Sequence, residues 1–169
     1  MASENLFLRE INLSDIHFVL EVENNRENWE VSGTQSEYMI DDIVALVESL
    51  KDVKNNKQVR YIILKDNRRI GTVDIANIDF VKGIGSIGVI ISEKKNRKKG
   101  FAHSAIIMME DIALDLGLSG LHAMIYADNE ASINLFLKAG YEKNSSPDGL
   151  DLDNGDYINV EHYVKWLKR

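Results

Sequence analysis

Residues 84–126 hold a strand pattern, a helix pattern and a second strand pattern in close succession, an order that places the segment among folds with helices packed on a sheet. "GSIGVIIS" is a β-branched run and "GLHAMIYA" reads as a buried strand. Between them, "GFAHSAIIMMEDIALDLG" repeats apolar residues at helical spacing (Ala102, Ala105, Ile106, Met109, Ile112, Ala113, Leu116) and ends at Gly117. A helix with one apolar stripe, set between two strands, must bury that stripe against their sheet. The fold class read from this segment is mixed α/β around one sheet.

The same periodicities place the other elements. "NLFLREI" predicts a first strand, and Ser14 caps a helix over roughly residues 15–24, with Ile16, Val19, Leu20 and Glu23 at helical spacing. "NNRENWEVSGTQ" reads as a loop. Thr34 and Glu37 fit a capping box for a second helix to about residue 52, with Met39, Ile43, Leu46, Val47 and Leu50 on its apolar face. "VRYIILKD" and "RIGTVDIANI" are strands joined by "NRR". "NEASINLFLKAG" is a short helix stopped by Gly140, and "YEKNS" opens a strand. "SPDGLDLDNGD" is an acidic, turn-rich loop, and "YINVEHYVKWL" is a closing strand. The predicted order is βααβββαβαββ. No repeat, low-complexity tract or linker divides the chain, so residues 1–169 are expected to form a single domain.

Composition narrows the function classes. No apolar run approaches bilayer-spanning length, and "MASENLFLREINLSD" lacks the basic-then-apolar pattern of a signal peptide. No membrane association is expected, and a cytoplasmic location is the default. Without cysteine there is neither a disulfide framework nor a thiolate metal site. His17, His103, His122 and His162 show no metal spacing. "DLDNGD" lacks the fifth ligand and distal Glu of a calcium loop, so no metal is expected. A net charge of −7 argues against nonspecific nucleic-acid binding. That charge is unevenly spread: residues 1–50 carry eleven acids against Arg9 and Arg26. Two readings fit, solvated helix faces or a lobe that attracts a cationic ligand.

Against this acidic background, Lys94, Lys95, Arg97, Lys98 and Lys99 crowd into six residues just before a helix start, where the helix dipole disfavours positive charge. A helix N-terminus offers unpaired N–H groups to an anion. Gly100 lets the backbone come close to a ligand, and Ala102 keeps the first turn small. A pyrophosphate or phosphorylated nucleotide would neutralise the cations there. A solvated basic turn is the plain alternative.

At this point the sequence resembles the GNAT superfamily of acetyl-CoA-dependent N-acetyltransferases. "RKKGFA" is similar to its R/Q-x-x-G-x-G/A pyrophosphate loop, and "NEASINLFLKAGYEK" to its second signature, an Asn that leads a short helix ending in aromatic-x-K-x-G-aromatic. "LFLREINLSD", "VENN" and "RIGTVDIANI" look most like the branch of ribosomal-protein and spermidine/spermine N-acetyltransferases. The resemblance implies a sheet of about seven strands with about four helices, acetyl-CoA as cosubstrate, and a homodimer or higher homo-oligomer.

It also implies roles for individual residues. Backbone groups near Ile90, Ile91 and Ser92 would pair with the pantetheine arm, one N–H polarising the thioester carbonyl. Lys99, Gly100, Phe101 and Ala102, with Arg97, Lys98 and His103 nearby, would hold the pyrophosphate. Asn129 would bond the pantetheine, or cap its helix, and the two are compatible. Lys138 would lie beside the cofactor tail. Phe136 would do the same, or pack in the core.

The reaction needs a neutral amine, and an alkylammonium has a pKa of about 10, so a group must accept its proton. The glutamate that many relatives place at the start of the strand before the loop is absent from "GSIGVIIS". Asp74, a charge within the β-branched "GTVDI", is the candidate base, against the alternative that it faces solvent. Asp79, Glu27 and Glu30 are weaker candidates for the same role. Phe136 stands where many relatives have a proton-donating tyrosine, and Tyr141 and Tyr126 remain open as substitutes. Asn24, Glu27, Trp29 and Asp79 are candidate acceptor-site residues, with loop anchoring as the alternative for Trp29. The expected function is acetyl transfer to a primary amine, such as a polyamine or a basic protein N-terminus. An amino sugar or amino acid is a second acceptor reading, and a non-catalytic acyl-CoA-binding protein is a reading from another class.

Overall fold

The computed structural model describes residues 5–32, 36–144 and 159–169. Seven strands form one sheet in the order β1 (Leu6–Glu10), β2 (Val59–Lys65), β3 (Arg68–Asp79), β4 (Ile84–Ile91), β5 (Gly120–Tyr126), β7 (Val160–Trp166), β6 (Glu142–Lys143). Every neighbouring pair is antiparallel except β4 and β5. That one parallel pair is short. It matches only Ile84–Ser86 with Gly120–His122, although β4 runs on to Ile91 and β5 to Tyr126. Beyond Ser86 and His122 the two central strands part.

Side-chain alternation divides the sheet into two faces. Val73, Ile75 and Ile87, with Leu121, Ala123 and Ile125, pack on one face against α5 (Phe101–Asp115) and α6 (Glu130–Lys138). Helix α5 buries Phe101, Ala105, Ile106, Met109 and Ala113 there, a stripe at helical spacing. On the other face, Ile62 and Leu64 meet Val19 of α1 (Ile16–Asn24) and Ile43 and Val47 of α3 (Ile40–Ser49). Thr72, Asp74 and Ala76 share this second face, as do their register partners Ile90, Gly88 and Ser86.

Both long helices on the first face end in left-handed glycines. Gly140 (φ +91°) lets the Tyr141 N–H reach the Phe136 carbonyl at 3.0 Å, which folds the Tyr141 ring onto Phe136 edge to face, centroids 5.0 Å apart. Such a pair adds about 1 kcal/mol beyond its buried area.

The strand order matches the sequence expectation, and six α-helices are present among the described residues where about four were expected. The two extra are short: α2 (Arg26–Ser32), inside the predicted loop, and α4 (Val53–Asn56). Trp29 explains the first, since its Nε1 donates to the Glu23 carbonyl at 2.8 Å and closes the turn between α1 and α2. Ser14 is not a helix cap. It sits in a 3-10 turn, Leu13–Asp15, whose first N–H groups are taken by Asn12, and the Asp15 carboxylate returns a bond from Asn12 N–H at 2.9 Å. Thr34 lies outside the described residues. The α3 end is served instead by Asp42, which accepts from Met39 N–H at 2.7 Å. The acidic loop at 147–157 and the start of the last predicted strand also lie outside the described residues. No helix among the described residues is long and apolar enough to cross a membrane, and no group of three or more metal-ligating side chains occurs among them.

Candidate active site

The parting of β4 and β5 opens a cavity of about 340 Å³. Its walls come from both faces of the sheet: Thr72, Asp74, Gly88, Ile90, Met124 and Tyr126 from one, Val89, Ile125 and Phe136 from the other. A cavity lined from both faces at a strand gap passes through the sheet. Asn129 and Ser132 of the α6 start line it as well, and Glu23, Tyr38 and Arg60 close the end nearest α1.

The backbone at this gap is oriented by the ladder. Ser92 N–H donates to the Ile70 carbonyl at 2.8 Å, so by the alternation of an antiparallel pair the groups of Ile90 and Gly88 also turn toward β3. The main-chain groups of Val89 and the N–H of Ile91 therefore face the opening, beyond the last β5 partner. Of the backbone groups expected near Ile90, Ile91 and Ser92 to meet the pantetheine arm, the Ile91 N–H is the one that faces the opening. Ile90 lines the cavity, whereas Ser92 is turned away, its hydroxyl also donating to the Ile70 carbonyl at 3.0 Å.

The basic turn follows at the end of β4. Lys98 (φ +59°) and Gly100 (φ +83°) are both left-handed, and α5 begins at Phe101. Among the described residues, no acceptor is found for the N–H groups of Lys98, Lys99, Gly100, Phe101, Ala102 or His103; the first helical bond here is Ser104 N–H to the Gly100 carbonyl at 3.0 Å. Six unpaired donors along two left-handed turns and a helix start form a nest suited to an anion with several oxygens. The Phe101 ring is buried in the core, so only its N–H serves this nest.

The five cations do not act alike. Lys94 reaches Glu27 at 3.2 Å and Lys95 reaches Glu93 at 2.9 Å. Arg97 folds back, its Nε donating to the Ile91 carbonyl at 3.1 Å and its Nη2 lying 3.5 Å from that of Ser92. Lys98 and Lys99 have no ion pair among the described residues, which leaves these two ammonium groups beside the nest.

At the cavity's other end stands Asp74. Gln58 Nε2 donates to its Oδ2 at 3.0 Å, Arg60 Nη2 lies 3.7 Å from the same oxygen, and Arg60 Nη1 donates to Glu23 Oε1 at 2.6 Å. Burial pushes the Asp74 carboxyl above the ordinary carboxylate range; Arg60 and the Gln58 bond oppose this, and the Glu23 charge adds to it. Asp74 keeps 23% of its side-chain surface, toward the cavity it lines, so it is not sealed off.

The structure brings Asp74, Ile90, Asn129 and Phe136 to one cavity. The Asn129 side chain caps α6, accepting from Ser132 N–H at 3.2 Å, while lining that cavity. Lys138, exposed in the last turn of α6, is not part of the wall. Neither are the acceptor candidates Asn24, Glu27, Trp29 and Asp79. Asn24 exchanges two bonds with the Tyr38 backbone, Trp29 anchors α2, and Asp79 accepts from Val81 and Lys82 N–H at 2.9 Å each to close the β3–β4 turn. Tyr141 is buried behind Phe136, so of the two open tyrosines only Tyr126 lines the cavity. Sequence reading missed Arg60, Glu23, Tyr38, Gln58 and Gly88. Register would have found Gly88, which pairs with Asp74 across β3 and β4.

The Acetyltransferase (GNAT) domain family matches residues 5–142. The chain belongs to the GNAT acetyltransferases. A curated relative, the uncharacterized N-acetyltransferase YoaA of Bacillus subtilis, is 26% identical over 147 residues, covering 85% of this chain and 82% of that protein. The spermidine N-acetyltransferase of Vibrio cholerae, solved with CoA and spermine, shares the fold at a TM-score of 0.82 and 20% identity, over 97% of this chain and 96% of that one. A domain from Methanocaldococcus jannaschii is similar at a TM-score of 0.76 and 21% identity, over 96% and 98%. This GNAT enzyme therefore uses acetyl-CoA to acetylate an amine, and the strand gap and the nest of free N–H groups fit that cosubstrate.

Proposed function

We propose that the acceptor is a cationic primary amine with no anionic group beside the reacting nitrogen, and that Asp74 is the general base. The observation that carries this is the charge at the α1 end of the cavity. Two carboxylates, Glu23 and Asp74, face one cation, Arg60, which is already bonded to Glu23. Among the described residues, no free guanidinium or ammonium lines the wall to receive a substrate carboxylate. An ammonium is attracted to this end, and an amino acid is repelled by it. The spermidine-acetylating activity named for the Vibrio neighbour agrees with this reading.

In this reading each residue has a defined part. Acetyl-CoA supplies an acetyl thioester whose thiolate is a tolerable leaving group, thiol pKa being about 8.5. Lys98, Lys99 and the N–H groups of residues 98–103 hold its phosphates, and Asn129 and the Val89 backbone orient its amide arm. Asp74 removes a proton from the incoming ammonium, so that the nitrogen lone pair is free to attack. The Val89 or Ile91 N–H stabilises charge on the carbonyl oxygen. A non-catalytic role has no separate support once family membership and an acid-lined cavity stand together.

Thiol release measured with spermidine, basic N-terminal peptides, amino sugars and amino acids tests the acceptor. Higher kcat/KM for the polyamine or the peptides supports the proposal, and preference for amino acids or neutral amino sugars overturns it. A dodecameric Vibrio neighbour supports a homo-oligomer here, checked by sedimentation velocity, where a monomer at micromolar concentration would overturn that part.

A further inference from the structure

The two oxygens of Asp74 are in different situations. Oδ2 holds the bond from Gln58 Nε2 at 3.0 Å and faces Arg60 at 3.7 Å. Oδ1 has no donor among the described residues. It lies over the α-carbon of Gly88, where an added Cβ would sit 3.1 Å from Oδ1 and within 4 Å of nothing else. Asp74 and Gly88 are register partners, and both line the cavity where β4 leaves β5. The missing Gly88 side chain thus leaves an open slot bounded on one side by a free carboxylate oxygen.

We infer that Gln58 and Gly88 are positioning residues: Gln58 fixes the Asp74 carboxylate through Oδ2, and Gly88 keeps open the slot in which the acceptor nitrogen meets Oδ1. The inference rests on Asp74 being the base. A carboxylate without Gln58 turns about its χ2 torsion, and either oxygen then faces the slot or the guanidinium. Positioned proton acceptors act within about 2.6–3.2 Å of the proton's donor atom, so such a rotation takes the acceptor out of reach. The proton passes from the ammonium nitrogen to Oδ1, and the electron pair of that N–H bond stays on nitrogen. Asp74 later loses the proton to solvent. A Cβ at Gly88 would narrow the slot and press on Oδ1 at a distance tighter than most real Cβ contacts.

The charged and titratable groups facing Asp74 are Arg60 from β2 and Glu23 from α1, with the Tyr38 hydroxyl near Arg60. All remain when Gln58 is changed, so the loss of its bond can be isolated. A hydrogen bond to the charged form favours that form. Its removal in Gln58→Leu raises the pH needed to ionise Asp74.

The experiment measures kcat and KM for the best amine, and CoA affinity by calorimetry, across pH 5 to 9 for wild type, Gln58→Leu, Gly88→Ala and Asp74→Asn. In Gln58→Leu, kcat/KM falls about tenfold and its ascending limb moves up by about one pH unit, with CoA affinity unchanged. Gly88→Ala lowers kcat/KM, by more for branched than for linear primary amines, because the slot is narrowed. If Asp74→Asn keeps wild-type activity, the base reading itself fails. If Asp74→Asn is inactive while Gln58→Leu leaves both rate and limb in place, Gln58 has no positioning role. Equal losses for branched and linear amines in Gly88→Ala overturn the slot. Circular dichroism and the thermal midpoint confirm that each variant is folded, and Gln58, half-exposed at the head of β2, tolerates the change.

Discussion

Arg60 Nη1 donates to Glu23 Oε1 across 2.6 Å, which ties β2 to α1 at the mouth of the cavity. Both side chains are largely shielded, at 14% and 12% exposure. The pair fixes the charge that Asp74 experiences, because Arg60 also stands 3.7 Å from the Asp74 carboxylate.

Arg60→Gln is therefore expected to leave Glu23 and Asp74 facing each other without a cation. Like charges raise each other's pKa, so Asp74 ionises at higher pH than in wild type. The ascending limb of kcat/KM against pH moves up, and Asp74→Asn abolishes the limb with a loss of about 10²-fold or more. A limb that stays in place in Arg60→Gln would show that another group titrates.

The anion nest makes a contrast among lysines that look alike in sequence. Lys98→Ala and Lys99→Ala should each weaken CoA binding several-fold and flatten its salt dependence, since exposed charges act over about 8–10 Å at ordinary ionic strength. Lys94→Ala should change CoA affinity little, because Lys94 is engaged by Glu27. Calorimetric titration at two salt concentrations checks both. Equal losses for Lys94 and Lys98 would mean that the whole run binds phosphate.

Much of this was legible in the chain itself. The order of strands, α5, α6 and their closing glycines follows from periodicity, because each is a local pattern with its own stop. The nest was legible as well, from a glycine and small residue after a β-branched run. The acceptor end was not. Arg60 and Glu23 are 37 residues apart and Gln58 and Asp74 16 apart, and each looks like an ordinary surface polar group until the register is known. For Trp29, loop anchoring was already an open alternative in the sequence, and the structure shows Trp29 and Asn24 bonded to the Glu23 and Tyr38 backbones. The acidic surplus of residues 1–50 divides in the structure: Asp15 and Glu27 pair with Arg69 and Lys94 away from the cavity, whereas Glu23, paired with Arg60, lines it.

Asp15 is fully buried between Arg9 at 2.8 Å and Arg69 at 2.7 Å. Burial pushes its carboxyl up, but the bonds from Arg9, Arg69 and the Asn12 N–H outweigh it and hold the pKa at about 2. The folded value lies below the unfolded one of about 3.9. The resulting stability, on the order of 2 kcal/mol, is present above pH 4 and lost as pH falls toward 2. Asp15→Asn should flatten the acid side of a urea-unfolding pH series. It should also destabilise the fold at neutral pH by about 1–3 kcal/mol, because the Arg9 and Arg69 bonds to a charged acceptor are lost while both guanidinium groups, about a third exposed, stay partly hydrated.

His122 governs the next pH window. It is 4% exposed on β5, and among the described residues neither its Nδ1 nor that of His162 on the adjacent strand has a hydrogen-bond partner. Burial, and secondarily the His162 charge, lowers the His122 pKa to about 4. In the unfolded chain the ring titrates near 6.5. Between those values the unfolded state binds a proton that the folded state refuses, so stability falls as pH drops from about 6.5 to 4, by on the order of 3 kcal/mol. Below pH 4 both states are protonated and the effect stops growing. His122→Gln should remove most of this slope, leaving the smaller part due to His162, whose pKa burial also lowers. Urea midpoints at pH 7, 6, 5 and 4 measure it. A variant whose slope equals that of wild type would show that folding does not lower the His122 pKa and that another group carries the slope.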